Sequence, residues 1–248
     1  DLNGDGNMSV DDDYYAFMTT RWFAPVGFPI SCGLERIKYG SDGKPVLNFM
    51  TERAVDVYDK LFKLTIGNDS KLQEYTPDVN DGVTYTLLME NRLGITPATL
   101  DIASKLRDME SDFGIIPYPK YDEKQENYIS SIDAGTSTSA ISVTASDPAR
   151  TGMIIETLAE MSVDTITPVY YEKVLKGKSV RDEESEKMLD IIKDTSTFDH
   201  LYVLNYGDLG FAMMRWLDAE KTSITSEYAA IESKALEDIN NIWGEIDE

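Results

Sequence analysis

Residues 113–128 read Phe-Gly-Ile-Ile-Pro-Tyr-Pro-Lys-Tyr-Asp-Glu-Lys-Gln-Glu-Asn-Tyr, FGIIPYPKYDEKQENY. The first seven, Phe113 to Pro119, have the apolar character of a strand but carry Pro117 and Pro119. A proline cannot donate to a β-ladder, so this segment is an edge strand or a connector rather than the centre of a sheet. Upstream, a helix is predicted from about Pro97 to Met109 with proline in its first turn, after a break at Gly94 and a helix around residues 80–91. Downstream, residues 129–143 are Ser/Thr-rich and then apolar, consistent with a loop that feeds a strand. Asp147 and Pro148 then stand in cap-then-proline order and start a helix to about Met161.

The flanks extend this helical pattern. Thr51 can cap a helix whose apolar residues Ala54, Val55, Tyr58, Leu61 and Phe62 recur at helical spacing and which ends near Gly67. Residues 11–23 read as a short helix ending before Pro25, and the stretch to Gly33 as a surface loop carrying Trp22, Phe23 and Phe28. Thr167 to Glu172 open another helix, and Asp182 can cap the one that carries Met188, Leu189, Ile191 and Ile192. Residues 208–220 and 225–247 form a helical tail with Tyr228, Ile231, Ala235, Ile239 and Ile242 on one stripe. Few strands separated by helices give an α/β protein.

The first twelve residues, DLNGDGNMSVDD, raise a chemical question. Asp1, Asn3 and Asp5 alternate so that their oxygens can face one centre, Gly6 permits the sharp reversal, Asn7 offers a backbone carbonyl, and Ser9 and Asp12 follow in register. A hard cation that takes six to eight oxygen ligands requires this arrangement, so these residues are predicted to hold calcium, with Asp12 closing the site from the start of a helix. The run resembles the loop of a dockerin, a calcium-dependent protein-interaction module, but dockerins carry two loops. Residues 78–82 are out of register and Ser41, Asp42 and Gly43 form an ordinary turn, so the single loop reads as a structural brace.

With 248 residues, 42% of them hydrophobic, the chain can bury a sizeable core in one large domain or two smaller ones. Its formal net charge of −22 repels nucleic acid and anionic membrane surfaces and favours neutral ligands or cations. His200 is the sole histidine and Cys32 the sole cysteine, so a zinc site or a histidine-based triad would rest on His200 alone and no intrachain disulfide can form. Cys32 reads as a buried structural thiol, and no phosphate-cradling glycine motif occurs. The 45 acidic residues single out no glycosidase pair, so a carbohydrate-active enzyme stays open as an alternative. Aromatic residues recur in loop-like contexts, at Trp22 and Phe23, Tyr118 and Tyr121, Tyr170 and Tyr171, and Tyr202 and Tyr206. Flat aromatic faces with hydroxyls suit a sugar ring, whereas Trp243 on the last helix reads as packing.

The order of five segments carries a family resemblance. They are the D-x-N-G-D-G loop with its Tyr-rich continuation, DGKPVLNFMTERAVDVYDKLFKL, KLRDMESDFGIIPYPKYDEKQENY, TPVYYE and RDEESEKMLDIIKD. Together they span nearly the whole chain, which resembles the C-terminal part of family 1 extracellular solute-binding proteins, the maltose-binding-protein-like sugar-binding lipoproteins of ABC importers. That resemblance implies a periplasmic-binding-protein-like two-lobe fold with a mostly helical C-terminal part, truncated at its N-terminus. It places residues 1–112 mainly in the C-terminal lobe, 113–120 in a crossing between lobes, 121–165 as a strand and helix given to the N-terminal lobe, and 166–248 as a helical return. It also implies a non-enzymatic, monomeric, cell-surface lipoprotein that binds a neutral sugar or oligosaccharide and serves the membrane subunits of an ABC transporter. By segment, the implied ligand residues are Trp22, Phe23, Thr96, Asp133, Tyr170, Tyr206 and Asp208. The aromatics would stack on sugar faces, and Asp133 or Asp208 would accept hydroxyl hydrogen bonds.

Overall fold

A computed structural model of the chain describes residues 2–66, 73–76, 82–133, 135–176 and 183–244. In chain order the elements are β1 (Tyr15–Thr20), α1 (Ala24–Ser31), β2 (Ile37–Tyr39), β3 (Pro45–Leu47), α2 (Glu52–Thr65), β4 (Gln73–Thr76), α3 (Gly82–Met89), β5 (Leu93–Ile95) and α4 (Asp101–Lys105). There follow β6 (Ser130–Ser131), α5 (Pro148–Asp164), α6 (Glu183–Asp194), β7 (Ser196–Thr197), α7 (His200–Leu204), α8 (Ala212–Asp218) and α9 (Ile224–Gly244). The architecture is mixed α/β, and the chain divides into two compact units. The first gathers Asp1–Ala98, Pro117–Ala134 and Ile191–Glu248, and the second Thr99–Ile116 and Gly135–Asp190. These units cut the chain differently from the expected lobe boundaries, because residues 121–134 cluster with the first unit and 99–112 and 166–190 with the second.

In the first unit β1 is the centre of a parallel sheet of order β4-β1-β5, with Phe17 opposite both Gln73 and Ile95. Parallel neighbours cannot be joined by a tight turn, so the chain crosses over through α1, the β2–β3 hairpin and α2, and then through α3. The expected helix over residues 11–23 is not formed. Tyr-Ala-Phe-Met-Thr-Thr is aromatic and β-branched, which suits a pleated strand, and Tyr15, Met18, Thr19 and Thr20 are all buried in it. Nor does Pro25 end a helix. It lies in the first turn of α1, where its missing N–H costs nothing, and the expected surface loop is a helix burying Val26, Pro29 and Ile30.

The helix expected from Thr51 is α2, with the Thr51 hydroxyl accepting the Ala54 N–H at 3.1 Å. Its inner face, Ala54, Val57, Tyr58 and Leu61, meets α8 and α9 in the main core. There Phe49 stacks on Tyr228 with ring centroids 5.4 Å apart and meets Trp216 edge-on at 5.9 Å. On α9, Tyr228, Ala235 and Ile239 are buried as expected, but Ile242 is exposed. Trp243 takes the inner position one residue on, packing on the core and donating its Nε1–H to the Tyr206 hydroxyl at 2.6 Å.

Arg36 is buried with a carboxylate partner far along the chain. Its Nε donates to Asp199 Oδ2 at 3.0 Å, its second terminal nitrogen lies 3.0 Å from Asp199 Oδ1, and its first donates to the Gly210 carbonyl at 3.3 Å. Asp199 also caps α7 by accepting the Tyr202 N–H at 2.8 Å.

The second unit is helical and has a smaller core of Ala103, Leu175 and Leu189 with Phe113, Ile115 and Tyr171 packed on it. Its first helix begins at Asp101, four residues later than predicted from Pro97. Between Phe113 and Pro119 no ladder forms, so of the two sequence readings the connector is the one observed. Among the described residues of 129–143 the only strand is the two-residue β6 near the start, and the apolar Ile141 and Val143 are exposed outside any strand. α5 starts as predicted, with Asp147 accepting the Arg150 N–H at 2.9 Å, but none of its residues is buried. A helical turn at Ile166–Pro168 runs into a π-helix at Val169–Lys176. The predicted cap of α6, Asp182, and the helix end at Gly67 lie outside the described residues. No helix among the described residues is long and apolar enough to cross a membrane.

Two measurements check this packing. Asp199→Ala strands a buried guanidinium and uncaps α7, and is expected to lower unfolding free energy by about 3–5 kcal/mol in urea denaturation. Burial, with the Glu232 hydrogen bond second, pushes the Tyr228 hydroxyl from 10 up to about 12. A raised folded value means that this contribution is whole below pH 10 and is lost as pH climbs through about 12. Melting temperatures should therefore fall across that alkaline window, and Tyr228→Phe should flatten the fall.

Candidate functional site

Two places carry the predicted site residues. The first is the N-terminal loop, where Gly4 and Gly6 adopt φ of +72° and +83°. Asn3 Oδ1 accepts the Asp5 N–H at 2.9 Å, Asp5 Oδ1 accepts the Asn7 N–H at 2.7 Å, and the Ser9 hydroxyl accepts the Asp11 N–H at 3.1 Å. These successive side-chain turns wind the loop so that Asn3, Asp5 and Asp12 share one space. The Asn3 Nδ2 group sits there, donating to Asp12 Oδ2 at 2.7 Å and to Asp5 Oδ2 at 3.3 Å. In this structure the Asn3 amide, a hydrogen-bond donor, bridges the Asp5 and Asp12 carboxylates. Among the described residues no three His, Cys, Asp or Glu side chains are grouped closely enough to hold a metal, and Asp1 lies outside them.

No helix follows this loop, so Asp12 does not close it from a helix start as expected. Asp13 anchors it as well. Fully buried, its Oδ1 accepts the Leu2 N–H at 2.6 Å and its Oδ2 the Ser9 N–H at 2.8 Å. The Leu2 bond is the main reason its carboxyl is held below the usual aspartate range. Arg92, just before β5, donates to the carbonyls of Asp13 at 3.0 Å and Val10 at 2.7 Å. The sequence signal for Asp13 was its place two residues before the buried Tyr15, on the inward parity of β1.

The second place is the carboxyl edge of the parallel sheet. The chain steps from β1 to β4 on one side and then past β1 to β5 on the other, and ligands of open α/β sheets sit outside such strand ends. β1 delivers Thr20, Arg21, Trp22 and Phe23 to this edge, and β5 delivers Thr96. The Thr20 hydroxyl is buried with no hydrogen-bond partner among the described residues. Thr96 is half-buried, its hydroxyl donating to the Pro97 carbonyl at 3.3 Å. Phe23 is half-buried at the start of α1, its carbonyl accepting the Gly27 N–H.

Trp22 is 36% exposed, with its ring edge-on to Phe211 at 6.1 Å and the Arg21 guanidinium 5.7 Å from its centroid. Arg21 is held in turn by an ion pair with Asp218. Phe211 ends a tight 3₁₀ segment, Tyr206–Phe211, entered through left-handed residues: Asn205 at φ +49°, Gly207 at +54° and Asp208 at +70°. The Gly207 N–H bonds Asp238 Oδ2 at 2.7 Å, and a Cβ there would lie 2.5 Å from the Ala235 nitrogen. The exposed Asp208 carboxylate accepts from Asn205 Nδ2 at 2.9 Å and pairs with Arg215 at 2.7 Å.

The structure thus joins Trp22 to the turn that bears Asp208 through Phe211, a residue the sequence reading passed over together with Arg21 and Arg215. Tyr206 is a correction to the predicted set. Its ring is 1% exposed in the main core and its hydroxyl is engaged by Trp243, so it offers no face to a ligand. Asp133 is exposed in the first unit, and Tyr170 is 38% exposed on the π-helix of the second, edge-on to Tyr171 at 5.6 Å. The Cys32 thiol is half-buried and raised by burial, and the exposed His200 shares a hydrogen bond with the Tyr39 hydroxyl. The partly exposed Trp22 ring thus lies between the Arg21 guanidinium and the Phe211 ring.

Gly207→Ala, which adds a side chain at positive φ and against α9, is expected to cost roughly 2–4 kcal/mol of stability in urea denaturation. The chain matches no family model and no curated protein.

Proposed function

We propose that the chain belongs to the extracellular substrate-binding component of an ABC importer, that it binds a neutral sugar or oligosaccharide without chemical turnover, and that calcium braces its N-terminal loop. The observation that carries this reading is the Trp22 platform at the carboxyl edge of the sheet, backed by Phe211 and Arg21. The surrounding charge is already paired, Arg21 with Asp218 and Arg215 with Asp208, so an ionic ligand gains little there. The net charge of −22 is consistent with an uncharged ligand. In this reading Trp22 and Phe23 form an aromatic wall, and Thr96, Asp133 and Asp208 of the same unit supply further contacts. Asp1, Asn3, Asp5, Ser9 and Asp12 would hold calcium through side-chain oxygens and Asn7 through its carbonyl, and the bound ion would neutralise carboxylates that otherwise repel.

Calorimetric titration with maltotriose, xylotriose, cellotriose and mannotriose in calcium buffer tests the ligand class. Saturable one-site heat that Trp22→Ala weakens about ten-fold is the expected result, the size of a lost stacking contact. Silence across the panel overturns the assignment. For calcium, chelation by EDTA should lower stability by about 2.7 kcal/mol from a state with free calcium at a hundred times Kd. Asp5→Ala should abolish that response, and an unchanged melt in EDTA would make the loop a plain turn.

A further inference from the structure

We draw no further inference here: the strongest candidate, the apolar face of α5 formed by Met153, Ile154, Leu158 and Met161, is exposed along its length, and nothing in the structure shows what covers it.

Discussion

The buried guanidinium of Arg36 is the constraint on which the first unit depends. A charge removed from water must be matched by hydrogen bonds on several sides, and Arg36 finds them on Asp199 and on the Gly210 carbonyl. Those two acceptors bracket α7 and the Tyr206–Phe211 turn. One cation therefore sets where the C-terminal helices meet the segment before the β2–β3 hairpin. Asp199 serves twice, since the carboxylate that neutralises Arg36 also caps α7.

The candidate site inherits its shape from that arrangement. Phe211 follows Gly210 directly, so the pin on the Gly210 carbonyl also places the ring against which Trp22 leans. The left-handed run at Asn205, Gly207 and Asp208 is unfavourable locally. It is offset by the bonds from Gly207 to Asp238 and from Asn205 and Arg215 to Asp208. The result is a turn whose left-handed residues are held by side-chain bonds on both flanks, with the Asp208 carboxylate exposed on it. At the other end of β1, Asp13 and Arg92 perform the same task for the N-terminal loop, tying it to the start of β5 with bonds that require no ion.

Where a feature depends on neighbours in sequence, reading the residues worked. Thr51 and Asp147 cap the helices they were expected to cap, since a cap is a contact three residues long. Trp243 packs as its spacing on α9 required. The errors fell where a distant partner decides. Tyr15–Thr20 carries aromatic and β-branched residues that suit a strand, and its place as the centre of a sheet is set by β4 and β5 on either side. The aromatics could not be sorted by pattern alone, because Tyr206 and Trp22 both stand in polar, turn-rich contexts. One is buried by Trp243 and α9, and the other is left at a sheet edge.

By itself the sequence determined the mixed α/β class, the capped helices, the exclusion of Phe113–Pro119 from the centre of a sheet and the oxygen-rich register of the first twelve residues. Each follows from propensity, periodicity or spacing within a few residues. Tertiary structure decided that the buried Asp13 anchors the loop alongside Asp12, that Phe211 backs Trp22, and that Arg36 pairs with Asp199 across 163 residues. Burial selects those partners, because a polar or aromatic group removed from water must be satisfied by whatever the fold brings beside it, and that neighbour is not written in the local sequence.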